Sequence, residues 1–264
     1  MDRVEGVVAA NRNVVGALDL LRIHLQDPRG ARRRFGAVDA VAMGHQSPFF
    51  NSVFALDPRA SAVDVIAAFG WVESLGMAAS VVVDAATVAS LDAELRADGL
   101  APAGEQVAVM SLPLEPVPAG LAATTGSRTD PPVVAGGIEL ADVWWAAIEA
   151  GESMRALFNA RVIADPDVRI ATASLAGEPC AGAMAIRTGD VVGVYAVWTA
   201  EKARRQGLGR AVTKAVIEAA IASWGSRMAV LHSTELGFPI YRSLGFEQVS
   251  SVVFYVRPSA PHAA

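Results

Sequence analysis

Val191 to Arg210, VVGVYAVWTAEKARRQGLGR, is the stretch whose reading decides the fold. An apolar run of strand composition (Val191, Val192, Val194, Tyr195, Val197) passes through a polar turn into Arg204-Arg205-Gln206-Gly207-Leu208-Gly209, where a helical pattern starts at once. A strand, a basic glycine loop and a helix in this order suit anion binding. The first helical turn has N–H groups without partners and carries the positive end of the macrodipole, so a phosphate gains several donors together. Gly207 and Gly209 lack a Cβ and let a ligand reach the backbone, while Arg204, Arg205 and Arg210 offer charge-assisted hydrogen bonds. The pattern suits a pyrophosphate.

Arg204-x-x-Gly207-x-Gly209 resembles the Q/R-x-x-G-x-G/A signature of the GCN5-related N-acetyltransferases (GNAT), and Tyr241-Arg-Ser-Leu-Gly245-Phe246 resembles that family's Y-x-x-x-G-F. The resemblance implies that residues 204–210 (Arg204, Arg205, Gln206, Gly207, Leu208, Gly209, Arg210) hold the pyrophosphate of acetyl-CoA, used as a cosubstrate. It further implies that the backbone of Val197, Trp198 and Thr199 pairs with the pantetheine arm, as an added edge strand would. Tyr241 takes the family's role of general acid, protonating CoA as it leaves. Two departures stand out: Glu201 replaces a frequent proline, and Ser233 or Thr234 stands where asparagine is common. For the general base, Glu235 is the best carboxylate by position, ahead of Glu178 and His45, and a water relay is the alternative.

Composition narrows the rest. The 264 residues are 53% hydrophobic and 19% charged, enough for one large core or two modest ones. A net charge of −5 argues against a protein that tracks nucleic-acid phosphates. Cys180 is the single cysteine and the four histidines are scattered, so neither an internal disulfide nor a metal site is expected. MDRVEGVVAA has too short an apolar patch for a signal peptide, and no apolar run reaches membrane-spanning length. The expectation is a cytoplasmic protein with no membrane or nucleic-acid partner, as a monomer or homodimer.

Along the chain, Val8, Leu18, Leu21 and Leu25 fit a helix over 7–25, and Arg32-Arg33-Arg34 reads as a solvated turn. Strands at 38–43 and 52–56, a helix at 61–75, a strand at 79–83, a helix at 87–97 and a strand at 106–112 come next. Prolines and small residues between Ser111 and Gly137 mark a boundary. Helices are expected through Val143, Trp144, Ala147 and Ile148, with the paired tryptophans in the core, and as one piece over 154–162. Strands at 168–175, 181–187 and 191–199 then form a meander. After them comes a helix with Leu208, Ala211, Val212, Ala215, Ala219 and Ala222 on one stripe, then a strand at 228–233, a helix at 238–244 and a strand at 246–256.

The halves repeat. Ser74-Leu75-Gly76 parallels Ser223-Trp224-Gly225 at an offset of 149, and Leu95-Arg96-x-x-Gly99-Leu100 falls over Tyr241-Arg242-x-x-Gly245-Phe246. Pro58 and Ala60 stand where Gly207 and Gly209 stand, and Leu95 replaces the tyrosine, so the first half is expected neither to bind CoA nor to catalyse. The expected architecture is α/β (α+β), with two GNAT-like halves, each a mixed, mostly antiparallel sheet flanked by helices. Its divisions are a degenerate N-terminal domain at 1–117, a linker at 118–136 and a catalytic domain at 137–264. The expected activity is acetyl transfer to an amine acceptor in a ternary complex. Two other readings stay open. One is an NAD(P)-dependent oxidoreductase, since Gly207-Leu-Gly209-x-x-Val212 is near G-x-G-x-x-G; the other is a noncatalytic acyl-CoA-binding module.

Overall fold

The structure is a computed structural model and describes residues 3–122, 133–135 and 137–258. In chain order it contains α1 (Arg3–Leu25), β1 (Ala31–Phe35), β2 (Val38–Ala42), β3 (Ser52–Ala55), α2 (Ala62–Ser74), β4 (Ser80–Asp84), α3 (Val88–Ala97) and β5 (Ala101–Pro113). Then come α4 (Ala119–Ala122), β6 (Val133–Ala135), α5 (Ala141–Ala147), α6 (Glu152–Leu157), α7 (Ala160–Ile163), β7 (Val168–Leu175), β8 (Glu178–Thr188) and β9 (Val191–Thr199). The chain closes with α8 (Leu208–Trp224), β10 (Met228–Ser233), α9 (Phe238–Leu244) and β11 (Glu247–Val256). No described helix is long and apolar enough to cross a membrane.

Two compact units interleave in sequence: residues 1–17 with 109–249, and 18–108 with 250–264. The expected break at 118–136 is therefore not where the units part, and most of that stretch lies outside the described residues. The chain instead changes unit within α1, β5 and β11. For β11 the reason is pairing: Val252 to Val256 run antiparallel to Asp84 to Ser80 of β4, so the last strand completes the sheet that holds the first-half elements. Which strand a segment pairs with is a non-local choice that sequence pattern does not encode.

In the unit of 18–108 and 250–264 the strand order is β1-β2-β3-β4-β11-β5. Pairs β1/β2, β2/β3 and β4/β11 are antiparallel and β3/β4 is parallel, joined by α2. Helix α2 starts where expected because the Ser61 hydroxyl accepts the Asp64 N–H at 3.2 Å. Its inner face (Val65, Phe69, Val72) packs with Leu91 and Leu95 of α3 and Tyr255 of β11 into one apolar core. The arginine run, expected as a turn, is strand β1. Its arginines project to solvent, Arg32 pairing with Asp19 and Asp39 at 3.2 and 3.1 Å, so an exposed strand satisfies the same charges a turn would.

The unit of 1–17 and 109–249 has the order β5-β10-β9-β8-β7-β6. Strands β7 to β9 form the expected antiparallel meander, β6, which was not expected, adds an antiparallel strand beside β7, and β9/β10 is parallel, joined by α8. Trp144 is fully buried, its indole N–H reaching the Ala183 carbonyl at 3.0 Å and its ring edge-on to Phe158; Trp145 is half-buried and bonds the Phe158 carbonyl. The single helix expected over 154–162 is two, because Asn159 leaves the helix to cap α7 through the N–H groups of Arg161 and Val162. Two stripes also rotate. On α8 the buried face is Leu208, Val212, Val216, Ile217 and Ala220, not the alanine stripe expected, since burying a larger aliphatic side chain is worth about 1.5 to 3 kcal/mol. On α1 the buried face is Ala10, Asn13, Val14, Ala17 and Leu21, and Val8 is exposed.

The repeat is visible in both units. Helices α2 and α8 end at Ser74 and Trp224, α3 and α9 at Ala97 and Leu244, and Gly76, Gly225, Gly99 and Gly245 all sit in the left-handed region just after them.

Candidate functional site

The site grows from the way β9 ends. Its register with β10 runs from Val191↔Met228 to Gly193↔Val230 and stops, although both strands continue. On its other side β9 pairs with β8, but the register shifts between Gly182↔Trp198 and Met184↔Tyr195, so that Ala196 and Val197 of β9 together oppose Ala183 of β8. Ala196 lies inside this bulge with a left-handed φ of 48°. A bulge of this kind bends its strand and re-aims the residues beyond it. The backbone of Val197, Trp198 and Thr199 is thereby left unpaired with β10, and Trp198 is 41% exposed.

A short 3-10 turn (Glu201–Ala203) then turns the chain into the basic loop. Arg205 has φ 62° and Gly207 φ 79°, two left-handed residues that bring the chain round into α8. Gly207 is the N-cap and offers no side-chain oxygen to the helix, and the first in-chain bond is Ala211 N–H to the Gly207 carbonyl at 3.0 Å. Among the described residues the N–H groups of Leu208, Gly209 and Arg210 have no backbone partner. Three such donors at the start of a 17-residue helix are the arrangement that can accept an anion without any side chain.

The flanking side chains divide. Arg204, Arg205 and Gln206 are exposed, Arg204 folding back so that its Nε reaches the Thr199 carbonyl at 3.3 Å. Arg210, grouped with them on sequence, points elsewhere: it donates to the Gly120 carbonyl at 2.8 Å and to the Ser243 hydroxyl at 3.3 Å. Its guanidinium ties α8 to α4 and α9, and what it presents to the loop is its backbone N–H. Leu208 and Gly209 are buried, and a Cβ on Gly209 would press on the Thr199 hydroxyl at 3.2 Å.

Tyr241 lies on α9, 8% exposed, with its ring edge-on to Phe246 at 6.0 Å. Burial pushes its phenol up to about 12, so it holds its proton at neutral pH. Among the described residues the hydroxyl has no hydrogen-bond partner, yet it is not one of the polar atoms sealed from water. Glu235 is exposed in the turn between β10 and α9. It and Trp198 each lie five residues beyond the last paired position of their strands, Val230↔Gly193, hence at the same end of the sheet. Of the weaker base candidates, Glu178 opens β8, and His45 belongs to the other unit, where its ring packs edge-on to Phe50 at 4.8 Å.

Three features escaped the sequence reading: the bulge at Ala196, the left-handed Arg205 and the buried carboxamide of Asn13, whose side chain bonds both β8 and β9. The first two have no residue signal, since neither alanine nor arginine favours that backbone. Asn13 left a faint one, a polar residue one turn from alanines and valines on a helix. A depression of about 960 Å³ lined by Val4, Val8, Arg12, Asp190 and Arg227 lies at the start of β9, the opposite end from the basic loop.

Residues 148–256 match the family model of the acetyltransferase (GNAT) domain. Among solved structures, a GCN5-related N-acetyltransferase from Kribbella flavida is similar with a TM-score of 0.71 at 17% identity, over 96% of this chain and 97% of its own. A tandem GNAT protein from the clavulanic acid biosynthesis pathway gives 0.59 at 13%, over 97% and 96%. A GCN5-related N-acetyltransferase from Sphaerobacter thermophilus gives 0.58 at 14%, over 85% and 78%. At such identities the likeness is one of fold. No curated protein matches in sequence. With the parted strands, the bulge and the glycine-entered helix all lying between 148 and 256, that segment is a domain of the acetyltransferase (GNAT) type.

Proposed function

We propose that this domain binds acetyl-CoA and passes its acetyl group to a primary amine, which attacks the thioester directly while both substrates are bound. The observation that carries the reading is the coincidence of two features at one end of β9: its separation from β10 after Gly193, and the free amides of α8. The helix amides with Arg204 and Arg205 suit the pyrophosphate, and the backbone of Val197 to Thr199, unpaired on its β10 side, suits the amides of pantetheine. Once the arm lies in the gap, the thioester is held against the protein and the attack becomes effectively unimolecular.

In the reaction the C–N bond forms, the C–S bond breaks and CoA departs with the electron pair. A thiol of pKa about 8.5 leaves more readily if it is protonated as it goes. Tyr241, protonated and with a free hydroxyl, suits that donor. The proton lost by the attacking amine goes to Glu235 or to water.

The test combines calorimetry with CoA and thiol release from acetyl-CoA in the presence of a panel of small amines and N-terminal or lysine-bearing peptides. Submicromolar to micromolar CoA binding with amine-dependent thiol release supports the proposal. Absence of CoA binding removes it, and binding without release across the panel replaces it with the noncatalytic module.

A further inference from the structure

Asn13 is a fully buried polar residue on the inner stripe of α1, surrounded there by Ala10, Val14 and Ala17. Its Nδ2 donates to the Ile186 carbonyl of β8 at 3.2 Å, and its Oδ1 accepts the Tyr195 hydroxyl of β9 at 2.6 Å. Opposite it, Gly193 has no room for a side chain, because a Cβ there would collide with Asn13 Oδ1 and the Tyr195 ring. A leucine would fill a helix stripe at no desolvation cost, so a buried carboxamide with a glycine cleared to admit it calls for another reason.

Its position supplies one. Ile186 pairs with Gly193, the last β9 residue that also pairs with β10, and Tyr195 pairs with Met184 just before the register shift. One side chain therefore grips both strands at the point where β9 leaves β10, and the next residue is Ala196 in its left-handed conformation. Alanine disfavours that backbone, so without the grip β9 gains by slipping one residue into regular pairing with β8. A slip of one residue turns every later side chain and amide to the opposite face.

We propose that Asn13, acting through Tyr195, is a positioning residue for the acyl donor: it fixes the bulge so that the backbone of Val197 to Thr199 faces the pantetheine arm. This rests on the acetyl-CoA reading above. It separates the two parts of the cofactor: the loop and α8 take the 3′-phospho-ADP portion, and Asn13 governs the pantetheine portion alone.

The experiment measures the affinity of Tyr195→Phe and of the Asn13→Leu/Tyr195→Phe double variant for CoA and for 3′-phospho-ADP, together with melting temperature. The double variant replaces both polar partners by apolar groups, which keeps the fold better than either half-broken pair. CoA affinity is expected to fall roughly three- to tenfold, as for a lost hydrogen bond, with 3′-phospho-ADP affinity unchanged. Equal loss for both ligands, or loss for neither, overturns the proposal. If the parent chain binds neither ligand, the acetyl-CoA reading fails. The clamp is then decided by amide hydrogen exchange: faster exchange in the variants confined to residues 196–199 upholds it, and unchanged exchange there overturns it. Should the double variant not fold, Tyr195→Phe alone carries the same comparison.

Discussion

The Asp57 carboxylate is bonded by Arg59 three times: from the backbone N–H at 2.9 Å, from Nε at 2.9 Å and from Nη2 at 2.7 Å. Arg59, with Pro58 and Ala60 around it, stands in the first half where the basic glycine loop stands in the second. Side-chain hydrogen bonding by Arg59 holds the Asp57 carboxyl down at about 2, so the one arginine of this loop is already engaged by a carboxylate of the loop itself. Behind it Ser61 caps α2 with its own hydroxyl. The loop is closed on itself, and the same turn recurs at Asp27-Pro28-Arg29.

One CoA per chain is therefore the expected stoichiometry by calorimetry. Arg59→Ala should leave CoA affinity about the same as the parent's, whereas Arg204→Ala should lower it about tenfold or more, since a charge-assisted hydrogen bond is worth roughly 1.5 to 3 kcal/mol. Two equivalent sites, or equal effects of the two arginines, would contradict the assignment.

Gly207 and Gly209 should fail differently. A Cβ on Gly207 meets no atom of the described residues within 4 Å, so Gly207→Ala pays chiefly for its φ of 79°, about 1 kcal/mol of stability, and would obstruct only the proposed ligand. Gly209 has ordinary helical surroundings, but a Cβ there would lie 3.2 Å from the Thr199 hydroxyl, so Gly209→Ala shifts the strand end instead. Melting curves and CoA titrations of the pair distinguish the two: Gly207→Asn, which tolerates the left-handed region, should recover stability without recovering affinity.

How much of this was legible can be judged at particular residues. The bounds of β7, β9, β10 and α9 coincide with those read from sequence, because glycine turns and sharp changes of period flank them. Gly207 and the Tyr241 to Phe246 spacing pointed to the loop and to α9. The bulge at Ala196 was not legible, because Tyr195-Ala196-Val197 is ordinary strand composition and the partner of the adjoining Tyr195 hydroxyl, Asn13, lies 182 residues away in sequence. The pairing of β11 with β4 was hidden for the same reason, and so was the true direction of Arg210, which is fixed by the carbonyl of Gly120, 90 residues away in sequence.

His232 on β10 gives a pH dependence with a definite sign. Its Nε2 is sealed from water with no partner among the described residues, and burial lowers its pKa from 6.5 to about 4. As pH falls below 6.5 the unfolded chain takes up a proton that the folded chain refuses until about pH 4. The contribution to stability is thus present above 6.5 and is lost progressively between 6.5 and 4, by at most about 3 kcal/mol. Denaturant melts at about pH 7 and about pH 4.5 should show a smaller difference for His232→Leu than for the parent. An equal difference would mean that His232 titrates normally in the folded protein.

Tyr241 allows the sharpest separation of chemistry from packing. Its ring is buried against Phe246, but its hydroxyl has no partner among the described residues, so Tyr241→Phe removes no internal hydrogen bond and should move the melting temperature little. If the hydroxyl protonates departing CoA, kcat should fall by roughly 10² to 10⁴ with CoA affinity nearly unchanged, because the proposed pyrophosphate site is on α8 and not on α9. With a pKa of about 12 the phenol stays protonated across the working range, so it should impose no alkaline limb below about pH 10 on the parent's kcat. The defect should shrink for an acyl donor whose thiol has a lower pKa, since that leaving group needs less help. Single-turnover rates for parent and variant with both donors measure this directly, and equal rates for parent and variant on acetyl-CoA would leave Tyr241 a packing residue.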